Sequence, residues 1–172
     1  MYFDKPIVKI RAVLNNKLLR IILVSTFIGV AFLIRLIFAN KAQFPGHGDN
    51  AFYYTVAENI FDGRGFTIDY IWNYLNRPEA ITHYSNDYWM PLTSVIISLS
   101  LFIFGKSLFA ALLPSIFAGL ALSLLTYFVS KIYSDSHFVA LCSSGLILFV
   151  PVLFKYSLLT DSAIFYALLL GA

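Results

Sequence analysis

The chain has 172 residues, of which 59% are hydrophobic and 17% aromatic while only 12% carry charge, and its mean hydropathy is +0.78. A soluble domain of this length is nearer a quarter charged, so the composition excludes an ordinary water-soluble enzyme and points to an all-α integral membrane protein. The formal charge of +3 reflects where lysines and arginines sit relative to a membrane and calls for no nucleic acid. The single cysteine, Cys142, leaves no disulfide framework and no cysteine metal site.

Residues 1–17 open the chain, and within the first twenty positions five basic residues (Lys5, Lys9, Arg11, Lys17 and Arg20) stand against one acid, Asp4. The apolar run 18–40 follows, long enough to cross a bilayer, which takes about 20 apolar residues. Basic residues before a first span hold that end in the cytoplasm. The run is too long for a signal peptide and has no small-residue cleavage site, so 18–40 is read as a retained transmembrane helix. Arg35 lies near its outer end, where a long side chain is expected to snorkel to the interface.

The connection 41–106 reverses the charge balance: up to Met90 it holds Asp49, Glu58, Asp62, Asp69, Glu79 and Asp87 against Lys41, Arg64 and Arg77. Scarce Lys and Arg fit the outer face, and long ordered connections are usually functional. Inside it, "NAFYYTVAENIF" places Phe52, Val56 and Ile60 at helical spacing before Gly63, predicting a helix at about 50–62. Asp49 stands where an N-cap would. The numerous Tyr, Phe and Trp residues suit an interfacial amphipathic helix. The stretch 91–104 begins at Pro91 and ends before Gly105, too short for comfortable spanning and more typical of a juxtamembrane helix.

Two longer runs predict transmembrane helices at 107–130 and 137–155, and 156–172 reads as a second external loop leading into a helix too short to cross. The chain is therefore expected to be the N-terminal part of a larger membrane protein, truncated in that last helix. If 91–104 spans, Asp161 falls on the opposite side from Asp49; if it lies on the outer surface, the two aspartates share a face. Lys131, between the second and third predicted spans, favours the second count. That count gives a multi-pass protein of the plasma membrane with its N-terminus in the cytoplasm.

Asp49 and Asp161 each stand at a predicted helix start. A capping role explains either one alone. The sharper reading is chemical: a carboxylate within reach of an acceptor hydroxyl acts as general base, and apolar walls raise its basicity. The residues alone do not choose a reaction.

The segment "GHGDNAFYYTVAENIFDGRGF", followed by "YWMPL", "FIFGKS" and "LLTDSAIF", resembles the N-terminal part of the GT-C glycosyltransferases. The resemblance is to the family 39 group of protein mannosyltransferases and to the aminoarabinose transferase type, and its motifs run in order along nearly the whole chain. The resemblance implies GT-C-like transmembrane helices and a long external loop carrying juxtamembrane helices. It also implies transfer of a sugar from a polyprenyl-phosphate-linked donor to a lipid, glycan or protein acceptor on the outer face, usually with inversion. Asp49 falls on the family's catalytic aspartate and Asp161 on its second-loop acid. Two departures stand out. Asn50 occupies the position where Glu is common, so a metal-assisted role at that pair is not implied; no cofactor is assigned and a divalent cation is left open. "SNDYWMP" has no Lys before the aromatic–Pro segment, so the donor phosphate must be met elsewhere.

Arg64, Arg77, Lys106 and Lys155 are the basic candidates, with Arg64 and Lys155 preferred, and Tyr88 and Trp89 are candidates to stack on a sugar or an isoprenoid. His47 and His83 could join Asp49 as zinc ligands, imidazole and carboxylate both suiting that metal, but no further ligand stands at recognisable spacing and no metal site is assigned. Two other readings remain: a non-catalytic membrane module that binds a polyprenyl lipid, and an inactive fragment of such an enzyme.

Overall fold

The computed structural model describes residues 16–46, 48–71, 79–85 and 89–172. It is mostly helical, with seven helices and a two-stranded hairpin among those residues: α1 (Lys17–Asn40), α2 (Asp49–Phe61), β1 (Thr67–Ile68), β2 (His83–Tyr84), α3 (Leu92–Phe104), α4 (Leu108–Ser134), α5 (His137–Phe149), α6 (Pro151–Tyr156) and α7 (Ala163–Gly171). α1 and α4 are long and apolar enough to cross a membrane.

α1 starts where the Asn16 side chain accepts the N–H groups of Leu18 and Leu19 at 3.0 and 3.2 Å. Only Ala31, Arg35 and Ala39 are buried, one stripe at four-residue spacing, while Leu18, Ile22, Leu33 and Ile37 stand half or more exposed. A helix apolar all round yet buried along one stripe has the pattern of a lipid-facing span. α4 is the central post. Ser107 caps it by accepting the Ala110 N–H, more than half of its apolar window is buried, and it packs against α1, α3, α5, α6 and α7.

α2 and α3 pack together beside α4 through Phe52, Val56, Ala57, Ile97 and Leu101. The hairpin, pairing Thr67 with Tyr84 and Ile68 with His83, docks on α2 by burying Ile68. Asn59 reaches from α2 to the hairpin, donating to the Thr67 carbonyl at 2.9 Å. Strands of two residues carry no alternating pattern, so the sequence reading did not include them.

Two sequence expectations need correction. The single helix expected over 137–155 is broken into α5 and α6. Proline has no N–H and forces the residue before it out of the helical region; Val150 is accordingly extended, with φ −56° and ψ 123°, immediately before Pro151. Arg35 does not snorkel. Its side chain turns inward and is 1% exposed.

Candidate active site

The approach to α2 is shaped by glycine. Gly46 has φ +109°, and a Cβ there would lie 2.5 Å from the Asn50 side-chain nitrogen, so the loop closes over Asn50 only because that position is bare. Gly48 precedes the helix with φ 62° and offers no side-chain cap. Asp49 is thus the first residue of α2 rather than its N-cap, where the positive end of the helix favours negative charge.

Asp161 arrives from the other end of the chain. Its Oδ1 accepts the Ala163 N–H at 2.8 Å, fixing the turn into α7. One residue earlier, the fully buried Thr160 donates its hydroxyl to the Asn50 carbonyl at 2.8 Å. This bond pins the segment before α7 to the start of α2 across 110 residues of sequence.

The result is a pocket of about 480 Å³ lined by Gly46, Gly48, Asp49, Asn50, Lys155 and Asp161, with Tyr156 and Leu159. Burial and, second, the Asp161 charge push the Asp49 carboxyl above its ordinary value, against the pull of its backbone hydrogen bond. Tyr70 also feels Asp49: burial first and then that negative charge push its phenol up to about 12. Lys155 is exposed and makes no ion pair among the described residues, leaving its ammonium available to an anion.

A second groove of about 460 Å³ adjoins the first and is mostly apolar, lined by Trp89, Pro91, Ile96, Phe165, Tyr166 and Leu169 among others. Tyr53 and Ser162 line it too, and each is close in the chain to a carboxylate of the first pocket. Tyr53 lies one helical turn after Asp49, on the same face, and Ser162 follows Asp161. Burial raises the Tyr53 phenol, its hydrogen bond with the Ser162 side chain opposes this, and the charges of Asp49 and Asp161 add to the rise. Trp89 packs on both Phe52 and Tyr53 with ring centroids 6.3 Å apart.

Of the candidates taken from the sequence, Asp49, Asp161 and Lys155 are brought together, and Trp89 lines the adjoining groove. Tyr88, Arg77 and His47 lie outside the described residues. Arg64 is placed elsewhere, beyond the far end of α2, roughly 18 Å along the helix from Asp49. There it pairs with Asp69 at 2.8 Å and Asp62 at 3.4 Å. Lys106 joins the same cluster through Asp62 at 2.8 Å and Glu58 at 3.7 Å. These pairs hold the hairpin and the α3–α4 corner to α2. His83 sits in that hairpin, with Nδ1 against the Ile81 carbonyl at 2.8 Å. Among the described residues no cluster of three or more His, Cys, Asp or Glu side chains is arranged to hold a metal ion.

Tyr53, Thr160 and Ser162 were not among the residues the sequence singled out for the site. Tyr53 had a usable signal, its spacing of four from Asp49; Thr160 had none, because its partner is a backbone carbonyl far away in sequence. No protein-family model, curated protein or solved structure matches this chain.

Proposed function

We propose that this chain carries the carboxylate centre of a GT-C-type membrane glycosyltransferase. In this reading it transfers a sugar from a polyprenyl-phosphate-linked donor to an acceptor hydroxyl at the outer face of the plasma membrane. The observation that carries the reading is the pairing of two unlike pockets, one lined by Asp49 and Asp161 and the other by Tyr53, one turn after Asp49, and Ser162, next to Asp161. The first has two carboxylates and the Lys155 ammonium, which makes no ion pair among the described residues; the second is apolar and aromatic. A lipid-linked sugar phosphate has the matching division, with a polar head to face Asp49, Asp161 and Lys155 and an apolar chain to follow Trp89, Phe165 and Leu169.

Asp49 serves as general base. It takes the proton of the acceptor hydroxyl while the acceptor oxygen bonds to the anomeric carbon. The bond from that carbon to the phosphate oxygen breaks, and polyprenyl phosphate leaves with the electron pair. Burial and the neighbouring Asp161 raise the basicity of Asp49, which suits proton abstraction near neutral pH. Asp161 supports the site by orienting the acceptor, and Lys155 meets the phosphate as a point charge. The shared pocket of Asp49 and Asp161 also supports the topology in which α3 lies on the outer surface and the N-terminus is cytoplasmic, since residues on opposite sides of a bilayer could not line it.

The test is transfer from a radiolabelled polyprenyl-phosphate hexose or pentose in membranes holding the full chain, wild type against Asp49→Asn. Loss of a positioned base lowers turnover by about 10² to 10⁴-fold. Equal turnover in the two overturns the reading. Donor retention without any turnover by wild type assigns the chain instead to a lipid-binding module.

A further inference from the structure

We propose that Arg35 is a positioning residue for the carboxylate pocket: by gripping both sides of the α5–α6 break, it fixes where Lys155 and Asp161 stand opposite Asp49. Its assignment to a reaction rests on the transferase reading above; the geometric claim does not.

The guanidinium of Arg35 is almost wholly buried, yet no acid pairs with it among the described residues. Its donors go to neutral groups: Nη2 to the Leu148 carbonyl at 2.7 Å, Nε to Ser157 Oγ at 2.8 Å and Nη1 to the Ala31 carbonyl at 3.2 Å. The carbon of the fork lies 4.8 Å from the centre of the Phe154 ring, within range of a cation–π contact. Leu148 precedes Pro151, while Phe154 and Ser157 follow it, so three of these four contacts straddle the break.

The break explains why they are needed. The last bond of α5 runs from the Val150 N–H to Leu146 at 2.8 Å, and the first of α6 from Phe154 to Val150 at 2.9 Å. The Leu148 carbonyl lies in the gap, in an apolar setting where an unpaired backbone group is costly. Arg35 supplies its donor. A planar fork presents Nε and Nη2 to Ser157 and Leu148 at once in fixed directions, whereas an ammonium is a compact point charge without that preset geometry.

Ser157 is the far end of the grip. It is fully buried, accepts from Arg35 and donates to the Phe154 carbonyl at 2.7 Å. On its other side stands Gly119 of α4, so close that a Cβ there would lie 2.8 Å from Ser157 Cβ. Lys155 is two residues before this anchor, Asp161 four after it, and Thr160 then ties the same segment to Asn50. The buried cation is remote from any substrate, yet it holds one wall of the pocket.

The test reads the protonation of Asp49, which faces Asp161, Lys155, Tyr53 and Tyr70, without needing a sugar donor. The full chain in nanodiscs is treated with a water-soluble carbodiimide and an amine trap across about pH 4 to 8, bracketing a raised carboxyl. Modification of Asp49 is then quantified by peptide mass spectrometry. Asp161→Asn lowers the pH midpoint by removing the neighbouring like charge. Ser157→Ala and Arg35→Lys, which keep the net charge, are expected to lower it too as Asp161 withdraws, whereas Arg35→Leu also removes a cation, which by itself raises a nearby carboxyl. A merely structural role moves thermal stability and leaves this midpoint in place. If Arg35→Lys fails to fold, Ser157→Ala decides. A wild-type midpoint in Ser157→Ala, or in folded Arg35→Lys, overturns the proposal whether or not the chain transfers sugar.

Discussion

Gly119→Ala sets two physical effects against each other, and the packing of the 155–161 segment decides the sign. In a helix interior, alanine is favoured over glycine by about 1 kcal/mol, so an open site would be stabilised. Here the new methyl group would meet Ser157 Cβ at 2.8 Å, short of an ordinary carbon contact by about 0.7 Å or more. Ser157 has little freedom to retreat, being held by Arg35 on one side and the Phe154 carbonyl on the other. Overpacking of this kind costs about 1–3 kcal/mol; with an anchored neighbour the upper part of that range applies, leaving a net loss of about 1–2 kcal/mol after the helix gain. For a protein of this size that lowers Tm by about 2–8 °C. The assay is thermal unfolding in detergent of wild type, Gly119→Ala, Ser157→Gly and the double variant. In the Ser157→Gly background the obstructing carbon is gone, and Gly119→Ala is expected to be neutral or stabilising. A rise in Tm for Gly119→Ala in the wild-type background refutes the close approach of this segment to α4.

Further predictions concern the pocket. Asp49 is held above its ordinary value, so its contribution to stability is full below the unfolded value of about 3.9 and falls as pH rises through the folded value. Asp49→Asn escapes that loss: its Tm at pH 7 should exceed wild type, and the advantage should vanish near pH 3, as pH-dependent melting would show. Asp161→Asn removes the like charge, so the acid limb of the rate profile should shift to lower pH. Thr160→Val deletes one buried hydrogen bond, at a cost of about 1 kcal/mol, and turnover should fall by more than the roughly fivefold that energy represents if the tie to Asn50 sets pocket geometry. Lys155→Ala should raise KM for a phosphate-linked donor, whereas Arg64→Ala, in its exposed cluster remote from Asp49, should leave KM unchanged and alter stability by less than about 1 kcal/mol.

The longer helices were legible because each coincides with an apolar run, and Gly63 and Gly105 mark the ends of α2 and α3; the caps at Asn16 and Ser107 emerge only in the structure. The α5–α6 break was missed: Pro151 marks it, but the length of the surrounding apolar run read as one helix over 137–155. Arg35 misled for the opposite reason. From sequence, a basic residue near a helix end reads as exposed, and only packing shows that Leu148 and Ser157 come within reach of its fork. The two aspartates could be placed on one face by counting crossings, whereas their common pocket depends on the Thr160–Asn50 bond, Gly46 and Gly119, none of which leaves a pattern in composition or periodicity. Arg64 and Lys155 looked alike as isolated cations near acids. The fold separates them, giving Arg64 two carboxylates of its own and leaving Lys155 without an ion-pair partner among the described residues.

The central claim is that the Asp49–Asp161 pocket faces outward, and thiol accessibility tests it most directly. Single cysteines at Gln43, Lys155 and Ser134, in a Cys142→Ala background, are exposed to a membrane-impermeant maleimide in intact cells and again after permeabilisation. The account predicts labelling at 43 and 155 from outside, with 134 reacting only after permeabilisation. Labelling at 134 from outside, with 43 and 155 protected until the membrane is opened, would place the carboxylates in the cytoplasm and contradict it.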